Sequence, residues 1–267
     1  MNTRLIFPLL ILFVFISGAC QDQESDWTPV FNGENLDNWD TYIGAPYEGY
    51  EAEAENVTAD QVFSVVEMEG QPAMKIDAPV KAAIATRDDY ENYHLKMEYR
   101  WGENVYDRRN SGLLYHSYGA FGSGLETWKN AHELQLWEDN VGDSYRMGET
   151  YCEIPVVTEG ENYVYSPEGE MTPFGMGEES KIARKTSNVE NPPGEWNSIE
   201  LYCVGRQSVH VVNGEPVLVN YKSGKYENGE VVPLTAGKIQ FQAEGAEMYI
   251  RNLQVRSITE IPASVMP

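Results

Sequence analysis

Between Tyr93 and Arg100 the chain alternates: Tyr93, Leu95, Met97 and Tyr99 fall on one side, His94, Lys96, Glu98 and Arg100 on the other. A period of two with one apolar face is the pattern of a half-buried β-strand. The alternation returns in "GKIQFQAEG", where Ile239, Phe241 and Ala243 point inward and Lys238, Gln240, Gln242 and Glu244 outward. "SGLLYHS" reads as a compact apolar strand, "NSIELYCVG" and "SVHVVNGEPVLVNY" as a strand and a hairpin, and "MYIRNLQVRSI" as the closing strand. Asn213-Gly214 is the dipeptide of a type I′ turn, whose two central residues both need positive φ. No long amphipathic helix, internal repeat or second domain interrupts the series. Many short strands with turn residues between them predict an all-β sandwich of two antiparallel sheets. Two stretches lack the alternation and read as loops: "YIGAPYEGYEAEAENVTAD" and the segment from Thr158 to Trp196. The second far exceeds the usual connection of roughly 4–6 residues, and long loops on a rigid sandwich often build a binding rim.

The candidate chemistry lies in "HELQLWEDNVGD", His132 to Asp143. As a strand it turns Glu133, Gln135 and Trp137 to one face and Leu134 and Leu136 to the other. Carboxylates and amides form paired hydrogen bonds with sugar hydroxyls, and flat rings cover C–H patches. Trp137, Tyr115 and Tyr249 are the candidate rings. The segment is also similar to the Glu-x-Asp-x-x-Glu strand of sandwich-type retaining β-glucanases, reading here Glu133-x-Gln135-x-x-Glu138. A retaining pair needs its carboxyl groups about 5–5.5 Å apart. Residues five apart in a regular strand face opposite ways, so Glu138 joins Glu133 only if a bulge intervenes.

Composition narrows the partners. The chain has 267 residues, 42% hydrophobic, and a formal net charge of -23. Such acidity argues against a phosphate-binding surface, so nucleic acid is not an expected partner. Residues 1–20 hold Arg4 and then "LIFPLLILFVFISGAC", an export signal too short and too early for a membrane span. Ser17-Gly18-Ala19-Cys20 resembles a bacterial lipobox, with Cys20 the lipidated residue. This predicts a periplasmic or surface lipoprotein that meets the membrane only through its anchor. Residues 21–26 read as a tether, 27–260 as the single sandwich domain and 261–267 as a tail. Cys152 and Cys203 remain, and both a disulfide and two buried free thiols are open readings.

From Trp27 to Ile258 the chain resembles the 3-keto-disaccharide hydrolase domain family. The resemblance rests on "WTPVFNGENLDNWD", "YENYHLKMEYRWG", "RNSGLLYHSYG", "HELQLWEDNVGD", "PPGEWNSIELYCVG", "VVNGEPV" and "GKIQFQAEGAEMYIRNLQVRSI", in that order. It implies a concanavalin A-like jelly-roll sandwich, exported or lipid-anchored, often from Bacteroidetes-type bacteria. The implied activity is on glycosides oxidised at C3, by hydrolysis or by elimination and hydration. A C3 ketone acidifies the hydrogen at C2, so a base can remove it and the aglycone can leave from C1. Such a site needs a base, a donor or metal at the ketone oxygen, and an acid for the leaving oxygen. Carried over by motif, Glu133 is the general base or a metal ligand, and His116 its acid–base partner or a ligand. Glu138 is the further catalytic candidate. Gln135, Trp137, Arg109, Tyr115, Asp143 and Arg251 are the substrate contacts. His116, Glu133 and Glu138 are the candidate set for a divalent ion, with no cofactor otherwise implied. Two alternatives stay beside this reading: a retaining β-glucanase acting on unoxidised sugar, and a non-catalytic carbohydrate-binding module.

Overall fold

The computed structural model describes residues 26–175 and 182–266. The leader, the lipidation candidate Cys20 and most of the tether therefore lie outside the described residues. Among the described residues, strands form two large antiparallel sheets. The larger runs, in spatial order, Asn162–Tyr165, Thr150–Glu159, Glu215–Glu227, Gln207–Val212, Asn197–Val204, Tyr93–Val105, Ala246–Ser257, Gln71–Ile76 and Phe63–Met68. The smaller runs Ile182–Ala183, Ser144–Met147, Asn130–Gln135, Gly112–Tyr118, Ala236–Ala243, Val80–Thr86 and Trp39–Pro46. Most spatial neighbours are distant in sequence, and the two sheets pack face to face as a jelly-roll sandwich.

The alternation explains the layering. Tyr93, Leu95, Met97, Tyr99 and Trp101 of one strand are all buried and face Leu113, Leu134, Ile239 and Phe241 across the core. Each such side chain contributes about 1.5–3 kcal/mol of burial. The interior is not wholly apolar. The Tyr115 hydroxyl lies 2.8 Å from Ser208 Oγ and 3.1 Å from His210 Nε2. Asn220 Oδ1 accepts from Ser144 Oγ at 2.6 Å and from an Arg146 Nη at 3.0 Å. His210 Nδ1 reaches the Gly142 carbonyl at 3.0 Å, which leaves its Nε2 as the acceptor in this network.

The predicted turn is present, with Asn213 at φ 50° and Gly214 at φ 82°. The two expected loops are more ordered than their patterns suggest. The first contributes part of the strand Trp39–Pro46 and two short helices, Glu51–Ala54 and Ala59–Val62. The second contains Asn162–Tyr165, Glu170–Gly175 and Ile182–Ala183. Those are short strands with exposed positions at one end, so no single face stays apolar long enough to show a period. Cys152 and Cys203 are free and buried, which excludes the disulfide reading.

Candidate functional site

The smaller sheet has an inner face in the core and an outer face that carries Glu133. Pairing registers order that outer face into rows. Tyr145 pairs with Glu133, Glu133 with Leu114, Leu114 with Gln240, and Gln240 with Ala85. In the next row Gln135 pairs with Gly112, and Gln242 with Ala83. Phe241 pairs with Leu113, so the antiparallel register sets Gln242 across from Gly112. One further step brings Glu244 beside Lys81, beyond the Ala243–Ala82 pair. Part of the face is roofed. Trp128 is buried over Ala83, Leu114, Ala131 and Met147, with Phe121 and Tyr145 packed against them. What remains of this face is a buried polar floor of Glu133, Gln135, Gln240 and Gln242, with Glu244 toward its end; this is the candidate cleft.

Gly112 shapes this floor. A Cβ there would collide with the Glu133 carboxyl and the Gln242 amide oxygen, so both side chains lie across the bare glycine. Ser111 fixes the backbone beneath, donating to the Gln242 carbonyl at 2.8 Å. The floor is buried yet incompletely bonded. Among the described residues, Glu133 Oε1, both polar atoms of the Gln242 amide and Gln240 Nε2 have no hydrogen-bond partner. Buried polar groups are ordinarily paired, so a cluster of four orphaned atoms marks a place where something polar is expected to bind. Burial raises the pKa of Glu133 well above the usual carboxylate range, and the nearby charge of Glu244 raises it further. Glu244 itself is pushed up to about 7 by burial, against the opposing influence of Lys81 and Arg108.

Not every predicted site residue reaches this cleft. Glu133 and Gln135 share the face as expected, and Gln135 Oε1 accepts from Leu136 N at 3.2 Å. Trp137 lies past the strand end, half-buried, with the Arg108 guanidinium 5.5 Å from its ring centre. Arg108 also acts electrostatically on Glu244, which sets Trp137 near the end of the cleft. His116 is a correction. Its φ of 49° marks a bulge that turns the ring into the core, 6.2 Å from Tyr93 and 6.3 Å from His132. Burial there lowers its pKa to about 4. Tyr115 is also interior, bound into the Ser208–His210 network rather than offered to a sugar.

Glu138 follows the strand, which ends at Gln135. Without a bulge to bring it inward, it sits 3.6 Å from Arg109 and does not join Glu133. Asp143 is structural, accepting from Arg184 at 2.7 Å and from the Lys185 backbone N–H at 2.9 Å. Arg251 and Tyr249 belong to the outer face of the larger sheet, on the far side of the molecule. Arg251 donates to Glu98 at 2.7 Å and stacks 3.8 Å from the centre of Trp196. Arg109 and Tyr249 line a groove of about 650 Å³ on that side. The carboxylate in that groove, Glu247, is fully engaged. Burial disfavours its charge, but Tyr249, Lys75 and the N–H groups of Glu103 and Asn104 outweigh this and hold its pKa at about 2. A satisfied carboxylate of this kind braces a fold, whereas the unsatisfied Glu133 is suited to chemistry.

The proposed metal set does not assemble, because His116, Glu133 and Glu138 occupy three separate environments. Among the described residues no group of three or more His, Cys, Asp or Glu side chains is placed to hold a metal ion. Residues missed at the sequence level are Gly112, Gln240, Gln242 and Glu244. The strict alternation of "GKIQFQAEG" was their signal, since it marks Gln240, Gln242 and Glu244 as one face.

The family profile of the 3-keto-alpha-glucoside-1,2-lyase-like domain matches residues 26–256. No curated protein matches the chain by sequence. Among solved structures, it is similar to a candidate glycosyl hydrolase of Parabacteroides distasonis at 19% identity and a TM-score of 0.52, covering 87% of this chain and 100% of that one. It is also similar to a Bacillus subtilis protein of unknown function with a galectin-like fold, at 10% identity and a TM-score of 0.50, covering 88% and 97%. These likenesses establish the sandwich fold.

Proposed function

Starting from a chain that belongs to the 3-keto-alpha-glucoside-1,2-lyase-like domain family, we propose that it cleaves glycosides oxidised at C3, using the outer-face cleft around Glu133. The observation that carries this reading is the set of orphaned polar atoms around Gly112: Glu133 Oε1 and both amide atoms of Gln242, which lie over it, with Gln240 Nε2 on the same face, all without a partner among the described residues. A sugar ring with adjacent hydroxyls and a ketone supplies the donors and acceptors those groups lack. Glu133 is the acid–base group, and Gln135, Gln240 and Gln242 hold the sugar. A carboxyl kept protonated by burial can donate to an oxygen that gains negative charge, as an enolate oxygen does.

The β-glucanase alternative is weaker, because its second carboxylate would be Glu138, which stands outside the cleft beside Arg109. Residues 1–20 support export, and Cys20 supports lipid attachment at the periplasmic or outer surface. No helix among the described residues is long and apolar enough to cross a membrane.

The test is turnover of a 3-keto-disaccharide set against its unoxidised parent. The reading expects cleavage of the ketone alone, lost in Glu133→Gln. Equal cleavage of an unoxidised β-glucan would overturn it in favour of an ordinary glycosidase. Sugar binding without turnover, surviving Glu133→Gln, would instead make the domain a binding module.

A further inference from the structure

We propose that Glu244 is the second catalytic carboxyl of the cleft, working with Glu133 so that one accepts a proton from the substrate while the other donates one. This rests on the 3-keto reading above and assigns the partner that His116 does not supply.

The geometry carries it. Glu244 lies on the face of Gln240 and Gln242, one step beyond the row in which Gln242 and Glu133 meet over Gly112. It is close enough to Glu133 for its charge to act on that carboxyl. What influences either group is burial and neighbouring charge, with no hydrogen bond to either carboxyl among the described residues. Other carboxylates on or beside the two sheets behave differently. Asp143 is held by Arg184 and Lys185, Glu98 by Arg251 and Asn252, and Glu247 by four donors. Two neighbouring carboxyls without bonded partners cannot both ionise cheaply, so one proton tends to stay between them.

The surroundings decide where it sits. Lys81 and Arg108 favour the charged form of Glu244, whereas the cation acting on Glu133 is Arg146, which is buried on the core side of the sheet. Burial still raises Glu244 to about 7 and Glu133 further, so the state with Glu133 protonated and Glu244 ionised is reached as pH rises through about 7.

This state suits elimination. Glu244 takes the C2 hydrogen as a proton, and the C2–H electron pair becomes the C1=C2 bond. The C1–O bond breaks, and the leaving oxygen takes the proton from Glu133. In the hydration that follows, Glu133 takes a proton from water as the hydroxyl adds to C1. C2 recovers a proton from Glu244. The sum is hydrolysis of a 3-keto-glycoside, with both carboxyls returned to their starting forms and no further reactant required.

The experiment compares the parent with Glu244→Gln and Glu244→Asp, using 4-nitrophenyl 3-keto-glucopyranosides of both anomers in deuterated water. Nitrophenol release and deuterium entry at C2 are followed together. In Glu244→Gln, kcat is expected to fall at least ~100-fold with KM nearly unchanged, and deuterium entry to stop. Glu244→Asp should recover part of both. A Glu244→Gln enzyme that keeps kcat within threefold, or still exchanges C2, overturns the proposal. Carboxyl titration of glutamate-labelled protein by carbon NMR tests the pair without substrate. Glu133 should ionise at lower pH in Glu244→Gln than in the parent, and an unmoved titration also overturns it. If the parent turns over neither ketone while the titrations still shift, the 3-keto reading fails and the carboxyl pair stands.

Discussion

Replacing Glu244 with Gln should stabilise the protein at alkaline pH and leave it nearly unchanged at acid pH. An ordinary glutamate has a pKa of 4.5, and burial in the cleft pushes Glu244 up to about 7. Between those values the unfolded chain has lost a proton that the native state still holds. Native stability contributed by this group is therefore fully present below pH 4.5 and is lost as pH rises through about 7. At about 1.4 kcal/mol per tenfold, the full loss is about 3 kcal/mol, an upper limit because the carboxyl is partly exposed. A neutral amide of the same shape carries no such penalty. Urea denaturation of parent and Glu244→Gln from pH 4 to pH 9 measures it directly. The gap should open from near zero at pH 4 to 1–3 kcal/mol at pH 9, roughly 2–12 °C in Tm for a domain of this size. A constant gap across that range would mean that Glu244 titrates like a solvated glutamate, and the reasoning from burial would fail.

Three further outcomes are expected. Gly112→Ala should push Glu133 and Gln242 off the cleft floor, costing about 1–3 kcal/mol by overpacking and lowering kcat/KM more than its effect on Tm would suggest; unchanged kinetics would show that the two side chains need not lie across the glycine. Asp143→Ala strands the buried Lys185 ammonium and frees Arg184, so it should cost about 3 kcal/mol in chemical denaturation while sparing kcat of the folded enzyme. Burial holds His116 at about 4 and His210 at about 3, below the unfolded value of 6.5, so their stability contribution should be lost as pH falls from about 6.5 toward 3; a Tm flat through that window in both parent and His116→Asn would refute it.

The faces of strands were legible in the sequence, and their neighbours were not. Counting by twos correctly set Gln240, Gln242 and Glu244 opposite Ile239, Phe241 and Ala243, since packing on one side of a sheet enforces that period. It could not show that this strand pairs with Gly112–Tyr118, more than a hundred residues away, and so brings Gln242 to Glu133. Local pattern contains no information on such long-range pairing. His116 failed for a different reason. The run "LLYH" predicts alternation, but a bulge at a positive-φ histidine breaks the phase and sends two successive aromatic rings into the core. Arg251 and Tyr249 do sit on an outward face, but of the other sheet. Nothing in a strand's own sequence states which of two sheets it joins.

The placement of charge bears on which reaction the cleft can serve. An oxocarbenium-like transition state is helped by an ionised carboxylate beneath the ring and a second carboxyl acting as acid. Here Glu133 is kept neutral by burial, and the position between the two motif glutamates is the amide Gln135 rather than a carboxylate. A floor of amides and a protonated acid offers donors, which stabilise charge on an oxygen better than charge on a carbon. The second carboxyl, Glu244, stands one row away, where Lys81 and Arg108 oppose the effect of burial and its pKa is about 7. A proton-removing base set apart from a donor-rich floor is the arrangement that enolate chemistry requires. Under the proposed 3-keto reading, an unoxidised glycoside, whose C2 hydrogen is not acidic, is expected to resist cleavage.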